Sequence, residues 1–332
     1  MMKKLFLVLT ASLFVFGGCT KWTSLFNGKD LTGWHQAAGE ASYSVDKGCI
    51  VGTIKAGAKG NSFLVTDATY SDFILEFEYL LEAGNSGVQF RSHQRDNGRV
   101  YGYQYEFDNN PDRAWTGGIY DEGRTGWLYP LTFNQDARNA NKYQEWNKGR
   151  IEAIGGHIRT FVNGVECADL LADLDSEGFI GLQVHATNDA ELDGKTVRWR
   201  KLRILTEDLE KNITPAKAEI HQVNAVPNTL SEKQEAEGWK LLFDGKTSEG
   251  WRSAKAETFP EEGWTVGDGM LQVWENGGAE STHGGDIITV DQYENFWLSV
   301  DFKITKGANS GIKYFVRPDL YNVVEASAIG CE

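Results

Sequence analysis

The stretch Phe73-Ile74-Leu75-Glu76-Phe77-Glu78-Tyr79-Leu80-Leu81 alternates with a period of two residues. Its large apolar side chains at odd positions fall on one face of a strand, namely Phe73, Leu75, Phe77, Tyr79 and Leu81. Glu76 and Glu78 fall on the opposite face. Because successive side chains of a strand point to opposite faces, this pattern predicts a strand with one buried and one solvated face.

Strand and turn patterns recur downstream and favour an all-β protein. From residue 150 the apolar segments are separated by Gly155-Gly156 and Asn163-Gly164, dipeptides that tolerate the positive φ angles of type I′ hairpin turns. Further strands are predicted over residues 179–185 and 197–205, and hardly any segment has an apolar period of 3.6 residues. We therefore predict a β-sandwich or jelly roll.

Two phrases recur in the same order and predict a duplicated domain. Leu25-Phe26-Asn27-Gly28-Lys29, closing on Gly33-Trp34, returns as Leu242-Phe243-Asp244-Gly245-Lys246, closing on Gly250-Trp251. Asn85-Ser86-Gly87-Val88-Gln89 likewise returns as Asn309-Ser310-Gly311-Ile312-Lys313. The offsets are 217 residues (251 minus 34) and 224 residues (309 minus 85), far longer than a solenoid repeat.

These offsets define the expected organisation of the chain. We expect a first domain over residues 22–206, a polar linker over residues 207–237 and the N-terminal half of a second copy over residues 238–332. Within the linker, Ser231 and Gln234 have the spacing of a capping box, which predicts a short helix.

The N-terminus has the pattern of a bacterial lipoprotein signal. Lys3-Lys4 precede an apolar run over residues 5–16, and Gly17-Gly18-Cys19 resembles a lipobox. The apolar run is too short for a stable transmembrane span. We expect a signal peptide over residues 1–18, acylation of Cys19, and a protein held in the cell envelope by its lipid anchor alone, facing the periplasm or the surface. A plain secretory signal is the alternative.

Composition narrows the functional classes. The formal net charge of -14 disfavours binding to a phosphate backbone, so we expect no nucleic-acid partner. Cys49, Cys167 and Cys331 lack Cys-x-x-Cys spacing and are expected to be buried free thiols. The chain has no dinucleotide fingerprint, Gly-x-Ser-x-Gly elbow or His-Glu-x-x-His helix, so NAD and a Ser-His-Asp mechanism have no support.

The densest group of polar residues lies in one predicted strand. Gln104, Glu106 and Asp108 share a face, and the other face carries Tyr103, Tyr105 and Phe107. Two carboxylates at positions i and i+2 lie about 7 Å apart along a strand. Like charges in a cleft separate their pKa values, which suits acid and base roles. A solvated face with ordinary charges is the alternative.

Three further groups are candidates for the same site. Gln183 and His185 fall on one strand face, and histidine is both a common proton-transfer group and a metal ligand. Gln89 and Arg91 are predicted to share a face, where the guanidinium can stabilise an oxyanion or form a structural salt bridge. Aromatic rings in the irregular stretch after Asp108 can stack on a sugar or belong to the core.

Seven motifs in order resemble the 3-keto-disaccharide hydrolase family. They are Leu25-Phe26-Asn27-Gly28-Lys29 with Gly33-Trp34, Asn85-Ser86-Gly87-Val88 with Arg91, Gly102-Tyr103-Gln104-Tyr105-Glu106, Trp146-Asn147, Val162-Asn163-Gly164, Gly181-Leu182-Gln183-Val184-His185, and residues 199–204. The resemblance covers nearly all of the first copy. It implies a concanavalin A-like jelly roll that acts on 3-keto glycosides by 1,2-elimination, by hydration of the resulting 2-hydroxyglycal, or by net hydrolysis.

This chemistry requires a base, an acid and an oxyanion stabiliser, because the C3 ketone acidifies the C2 hydrogen and the C1 substituent then departs. The candidate base is His185 or Glu106, and the candidate acid is Glu106 or Asp108. Arg91 is the candidate oxyanion stabiliser. The candidate substrate-binding residues are Gln89, Gln104, Gln183, Tyr120, Arg124 and Trp127. A divalent cation held by Glu106, His185 and Gln104 is a further hypothesis, with the cation as a Lewis acid.

Two other functional classes remain open at this point. One is a conventional glycosidase that uses Glu106 and Asp108 as paired carboxylates. The other is a non-catalytic, lectin-like carbohydrate-binding domain. For a 3-keto substrate, a separate oxidoreductase has to supply the keto sugar. The family commonly has Glu-x-Gln where this chain has Gln104-x-Glu106. Glu332 aligns with Gln104, so the second copy begins in the commoner order.

Overall fold

The computed structural model describes residues 21–132, 134–217, 219–274, 285–320 and 329–331. The chain divides into two compact units, Met1–Val223 and Asn224–Glu332. The predicted signal peptide, Cys19 and Glu332 lie outside the described residues. Among the residues described, no helix has the length and apolar character needed to cross a membrane.

The first unit is built almost entirely of strands. In chain order they are β1 Thr23–Ser24, β2 Trp34–Ala38, β3 Ser42–Asp46, β4 Cys49–Thr53, β5 Ser62–Tyr70, β6 Phe73–Leu81, β7 Asn85–Gln94, β8 Val100–Asp108, β9 Ile119–Glu122, β10 Gly126–Tyr129, β11 Asn147–Ile154, β12 His157–Val162, β13 Val165–Leu171, β14 Gly178–Val184, β15 Thr196–Leu205 and β16 Gln222–Asn224. The other elements among the described residues of this unit are one short helix, α1 Gln135–Arg138, and 3-10 turns at Ala190–Leu192 and Leu209–Lys211.

Two sheets pack against each other. The front sheet has the order β10-β9-β8-β7-β14-β5-β2. The back sheet has the order β16-β13-β12-β11-β6-β15-β4-β3, and β1 pairs with β15. The first unit is therefore an all-β, concanavalin A-like jelly-roll sandwich, which confirms the predicted fold class.

The inner faces of β6 and β8 form the centre of the core. The rings of Tyr79 and Phe107 stack at a centroid distance of 3.9 Å, and Phe77 meets Tyr105 edge to face at 5.3 Å. Such pairs add about 0.5–1.5 kcal/mol each to the gain from burial. On the outer face of β6, Glu76 accepts hydrogen bonds from Arg150 and Arg203. The alternation predicted for β6 is confirmed.

The predicted hairpins and capping box are also present. β11 ends at Ile154 and β12 begins at His157, around Gly155-Gly156, and Asn163-Gly164 separates β12 from β13 with φ angles of 51° and 85°. A helix, α2 Glu232–Ala236, follows Ser231, and both hydrogen bonds of the capping box are formed.

The first half of the predicted linker packs on the first sandwich. Leu209 is buried with Ile74 and Leu205. Farther along, Thr214 donates to Glu152 at 2.7 Å, and Gln222 donates to Asp169 at 2.9 Å. The described residues between 209 and 222 therefore belong to the first unit.

In the second unit, the described residues form three two-stranded sheets. Their strands are β17 Trp251–Ser253, β18 Trp264–Gly267, β19 Met270–Val273, β20 Ile287–Thr289, β21 Tyr314–Arg317 and β22 Ile329–Cys331, paired as β17-β20, β18-β19 and β21-β22. A local structure of the first unit recurs here. The indole of Trp34 donates to the carbonyl of Leu25 at 2.7 Å, and Trp251 donates to Leu242 at 2.6 Å.

The cysteines match the prediction in part. Cys49 and Cys167 are buried free thiols. Cys331 is a free thiol too, but it is exposed, so the prediction of burial is wrong for this residue.

We predict that Gly149→Ala destabilises the first sandwich. A Cβ atom at Gly149 would lie 2.2 Å from a ring carbon of Phe77, a buried core side chain. Forced repacking of this kind costs about 1–3 kcal/mol. Urea unfolding followed by tryptophan fluorescence measures the loss. Gly60→Ala is the matched control, because a Cβ atom added there would meet no other atom within 4 Å. Equal unfolding midpoints for the two variants would contradict the prediction.

Candidate active site

Polar residues gather on the outer face of the front sheet. Directly paired residues of antiparallel strands point to the same face. One row across the sheet contains Gln183, Gly87 and Glu106. The next row contains Gly181, Gln89, Gln104 and Tyr120. The register therefore brings three of the predicted strand segments together.

A buried glutamine layer, consisting of Gln89, Gln104 and Gln183, forms the floor of this face. Gln104 donates through Nε2 to Glu106 Oε2 at 2.7 Å. Its Oε1 atom accepts from Gln89 Nε2 at 2.5 Å and from Gln183 Nε2 at 2.7 Å. Each glutamine is at most 2% exposed. When Glu106 is ionised its oxygens can only accept, so the carboxylate fixes the amide orientation of Gln104 and, through Gln104, of the other two.

Gly87 leaves the space that this layer occupies. A Cβ atom there would lie 2.7 Å from both Cγ and Cδ of Gln104. The recurring phrase Asn85-Ser86-Gly87 thus has a packing function in the first unit.

Glu106 is the most perturbed carboxyl group of this face. It is 4% exposed, so the predicted alternative of a solvated face is wrong. Burial raises its pKa from the ordinary 4.5 to about 7, against the effect of hydrogen bonds from Asn85 and Gln104. A guanidinium nitrogen of Arg113 lies 3.7 Å from Glu106 Oε1. The carboxyl is therefore close to half-protonated at neutral pH.

Asp108 organises the loop that follows β8. It accepts from Arg113 Nε at 2.7 Å, from the backbone N–H of Trp115 at 3.1 Å and from that of Asn110 at 3.1 Å. The Asp108 carboxyl is thus ion-paired with a guanidinium and anchored to its own loop, whereas Glu106 accepts hydrogen bonds only from uncharged amides. The structure therefore does not support the predicted role of Asp108 as an acid. Asp108 instead holds Arg113 beside Glu106.

Arg91 does not join the site, which corrects the prediction that it shares a face with Gln89. The pairing of β7 with β8 shifts register between Phe90 and His93, and Arg91 has a φ angle of +45°. Its guanidinium is 1% exposed and donates to the carbonyls of Ser71 and Gly155, each at 2.7 Å, and to Asp72 at 2.9 Å. Arg91 is structural, and Arg113 is the guanidinium beside the carboxyl.

His185 follows the end of β14. Its Nδ1 atom lies 2.7 Å from the carbonyl oxygen of Ala186. Because a carbonyl can only accept, Nδ1 carries the proton, and Nε2 keeps a lone pair in the neutral ring. His185 lies at the surface, where part of its side chain is exposed to solvent. Protein atoms around the ring partly desolvate it, which lowers its pKa, and the charge of Arg113 lowers the pKa further. The ring is thus neutral near pH 7 and can act as a base.

Aromatic rings adjoin Arg113. Trp127 meets Trp115 at 4.6 Å and Tyr120 at 5.3 Å, both edge to face. The Arg113 guanidinium lies 5.5 Å from the Trp115 ring centroid and 5.6 Å from that of Trp127. All three rings are partly exposed, so they can contact a sugar.

Arg124 does not belong to this group. Its guanidinium forms ion pairs with Asp121 and Asp175 and lies over the ring of Tyr101 at 5.1 Å. Asp121 pairs with Tyr103, an inner-face residue. Arg124 therefore has a structural role, in place of the substrate-binding role predicted for it.

Sequence reasoning missed Arg113 and Glu122. Arg113 lies in an irregular loop, which has no periodicity to reveal it. Glu122 is two residues beyond Tyr120 in β9, so the same alternation places it on the outer face. Burial raises the pKa of Glu122, and its Oε2 atom lies 3.4 Å from Gln183 Nε2.

The predicted cation ligands do not fit together. Gln104 Oε1 already accepts two amide hydrogen bonds, so it is not available as a ligand. The described part of the chain contains no group of three or more His, Cys, Asp or Glu residues placed to hold a metal ion. We derive no catalytic step through a cation.

Comparison with known proteins gives one family. The model of the 3-keto-alpha-glucoside-1,2-lyase-like domain matches residues 21–205 and 238–330. A 3-keto-disaccharide hydrolase of Bacteroides thetaiotaomicron is 39% identical over 85 residues, which are 25% of this chain and 29% of that protein's length.

Solved structures with partial similarity include two from Bacillus subtilis. A protein of unknown function with a galectin-like fold has 13% identity and a TM-score of 0.42, and the match covers 57% of this chain and 96% of that one. The carbohydrate-binding module CBM66 has 17% identity and a TM-score of 0.37, over 52% of this chain and 95% of that one.

We predict that Glu106→Gln changes how stability depends on pH. The pKa of Glu106 is raised from 4.5 to about 7 in the folded protein. Its contribution to the free energy of unfolding is therefore present in full below pH 4.5 and is lost as the pH rises through about 7. Glutamine stays neutral throughout. Relative to wild type, the variant should therefore gain about 2 kcal/mol in free energy of unfolding between pH 5.5 and pH 8.5. Urea unfolding at both pH values measures this, with exposed Glu145→Gln as the control. A constant difference between Glu106→Gln and wild type would show that Glu106 is not perturbed.

Proposed function

The chain belongs to the 3-keto-alpha-glucoside-1,2-lyase-like family, and we propose that the front-sheet site cleaves or hydrates 3-keto glycosides. The observation that carries the proposal is that the charge of one guanidinium, that of Arg113, acts on both His185 and Glu106. The three groups are a neutral imidazole at His185, a carboxyl with a pKa of about 7 at Glu106 and the guanidinium of Arg113. These are the base, acid and oxyanion stabiliser that the reaction requires.

Elimination begins with removal of the C2 proton. His185 Nε2 accepts this proton, and the C–H electron pair moves to the C3 carbonyl oxygen as an enolate. Arg113 stabilises the negative charge. When the C3 carbonyl re-forms, a C1–C2 double bond is made and the C1 substituent leaves with its bonding pair. Glu106 protonates the leaving oxygen, and the products are an alcohol and a 3-keto-2-hydroxyglycal.

The protonation states after elimination are those that hydration requires. His185 is then protonated and Glu106 is ionised. Glu106 takes a proton from water as the water oxygen adds to C1, and His185 returns a proton to C2. The two half-reactions together give net hydrolysis and restore the starting site. A pKa near 7 suits Glu106 because the group must both give and take a proton.

The contacts of Asp108 weigh against a conventional glycosidase. Paired-carboxylate hydrolysis needs two carboxyl groups that reach the substrate. Asp108 forms an ion pair with Arg113 at 2.7 Å and also accepts from backbone N–H groups of the following loop, whereas the hydrogen bonds that Glu106 accepts come from uncharged amides. A non-catalytic sugar-binding role draws on the Trp115, Tyr120 and Trp127 rings alone, and it gives no reason for the burial of Glu106.

The proposal has consequences for the setting of the protein. An oxidoreductase must act first, because a C3 hydroxyl does not acidify the C2 hydrogen. We also propose that the protein is held in the bacterial cell envelope by a lipid on Cys19, as its N-terminal sequence predicts.

We predict that the protein turns over a 3-keto glucoside and leaves the parent glucoside intact. Glu106→Gln and His185→Ala should each lower kcat/KM for the keto substrate by about 100-fold or more, because each removes a proton-transfer group. Chromatography of the released alcohol measures turnover, and circular dichroism checks the fold. Turnover of the parent glucoside by wild type would sink the proposal.

We further predict that the two arginines differ in their effect on the activity of folded protein. Arg113→Met should lower kcat/KM by about 100-fold, and it should also lower the free energy of unfolding because it leaves the buried carboxyl of Asp108 without its guanidinium donor. Arg91→Met should lower the free energy of unfolding by about 3 kcal/mol, because it leaves two carbonyls and Asp72 without their donor, and folded protein should keep its activity. The reverse pattern would mean that the oxyanion stabiliser is Arg91 after all.

A further inference from the structure

We propose that Asn61 and Glu122 are positioning residues that hold His185 in the tautomer with its proton on Nδ1, so that Nε2 is the free nitrogen. The proposal rests on the proposed function only in taking His185 as the base. Neither residue is part of a predicted motif. Asn61 lies directly before β5, which pairs with β14, and Glu122 lies on β9, which pairs with β8.

Ala186 links the imidazole to Asn61. Its carbonyl accepts from His185 Nδ1 at 2.7 Å, and its N–H donates to Asn61 Oδ1 at 2.9 Å. The second bond restrains the peptide unit that joins His185 to Ala186, and therefore the position of the imidazole relative to the carbonyl that selects the tautomer. Without that restraint, the ring and the carbonyl can separate.

Glu122 in turn fixes the amide of Asn61. Because Oδ1 of Asn61 accepts from Ala186, its Nδ2 is the atom left to face Glu122, and the interaction with Asn61 opposes the effect of burial on the pKa of that carboxyl. A carboxylate has no donor when ionised, so it rejects the flipped amide. Glu122 thus determines which atom Asn61 presents to Ala186.

The carboxylate is itself held from the opposite side. Gln183 Nε2 lies 3.4 Å from Glu122 Oε2 and donates to Gln104 Oε1 at 2.7 Å. A continuous series of contacts therefore joins the acid to the base, through Glu106, Gln104, Gln183, Glu122, Asn61, Ala186 and His185. Such outer contacts set the tautomer and direction of a functional histidine.

The segment that follows Ala186 is anchored independently of Asn61. Thr187 forms a bridge with Ala56, and its carbonyl accepts from the N–H of Gly57 at 2.8 Å. Loss of the Asn61 side chain should therefore loosen the His185–Ala186 peptide unit, and with it the contact between the imidazole and the Ala186 carbonyl, without detaching the segment. This makes a substitution at Asn61 informative about the histidine rather than about folding.

Nitrogen-15 NMR of the labelled full chain tests the proposal directly, with His185→Ala used to assign the ring. We expect wild type to carry the His185 proton on Nδ1. Asn61→Ala and Glu122→Leu should each raise the fraction with the proton on Nε2. Asn188→Ala, at an exposed asparagine three residues beyond His185, is the matched control and should resemble wild type.

Kinetics on a 3-keto glucoside supply the second readout. Both variants should lower kcat by about 10- to 100-fold with little change in KM, because the substrate still binds while the base is misprotonated. Circular dichroism confirms that each variant is folded. A wild-type ring protonated on Nε2, or a tautomer ratio unchanged in both variants, would overturn the positioning role. If the tautomer shifts but wild type does not turn over the keto sugar, the positioning role stands and the proposed function fails.

Discussion

The burial of a single carboxyl group, that of Glu106, is the constraint on which the site depends. A buried carboxylate is costly unless donors surround it, and here the donors are amides with no charge of their own. Each amide must then point its oxygen elsewhere, and Gln104 directs its oxygen to two more glutamines. One electrostatic requirement thus orders a whole layer of side chains. That layer also requires Gly87, whose missing side chain leaves room for Gln104.

The two arginines show how local backbone geometry assigns roles. Arg91 and Arg113 carry the same group, and both contact an aspartate. The register shift in β7 sends Arg91 into the protein, where it satisfies two carbonyls. Arg113 lies in a loop where Asp108 holds only one side of its guanidinium, and the side chain is 37% exposed. The positive charge that a ligand can reach is therefore that of Arg113 in the loop, whereas Arg91 in the strand stabilises the fold.

Much of the fold and part of the site follow from alternation along the sequence. The period of two in β6 and β8 correctly assigned inner and outer faces, so it placed Gln104 and Glu106 together. The same rule misplaced Arg91, because a register shift in β7 breaks the alternation and no residue type in the sequence indicates that shift. Arg113 could not be found this way because it lies in an irregular loop without periodicity, and Asn61 could not because it depends on a contact with Ala186, 125 residues away in sequence. Alternation also could not show that the outer face of β8 is buried, because that depends on neighbouring strands and loops.

Amides between the two proton-transfer groups have a physical advantage over carboxylates. A second buried carboxylate at position 104 would repel Glu106 and raise its pKa above neutrality. A glutamine transmits orientation through its donor and acceptor without adding charge, and it does not titrate. Glu106 can therefore remain near the pH at which it gives and takes a proton equally well. The contacts continue from Gln183 to Glu122 and Asn61 and end at the imidazole of His185. The orientations of the acid and of the base therefore depend on one connected group of polar side chains.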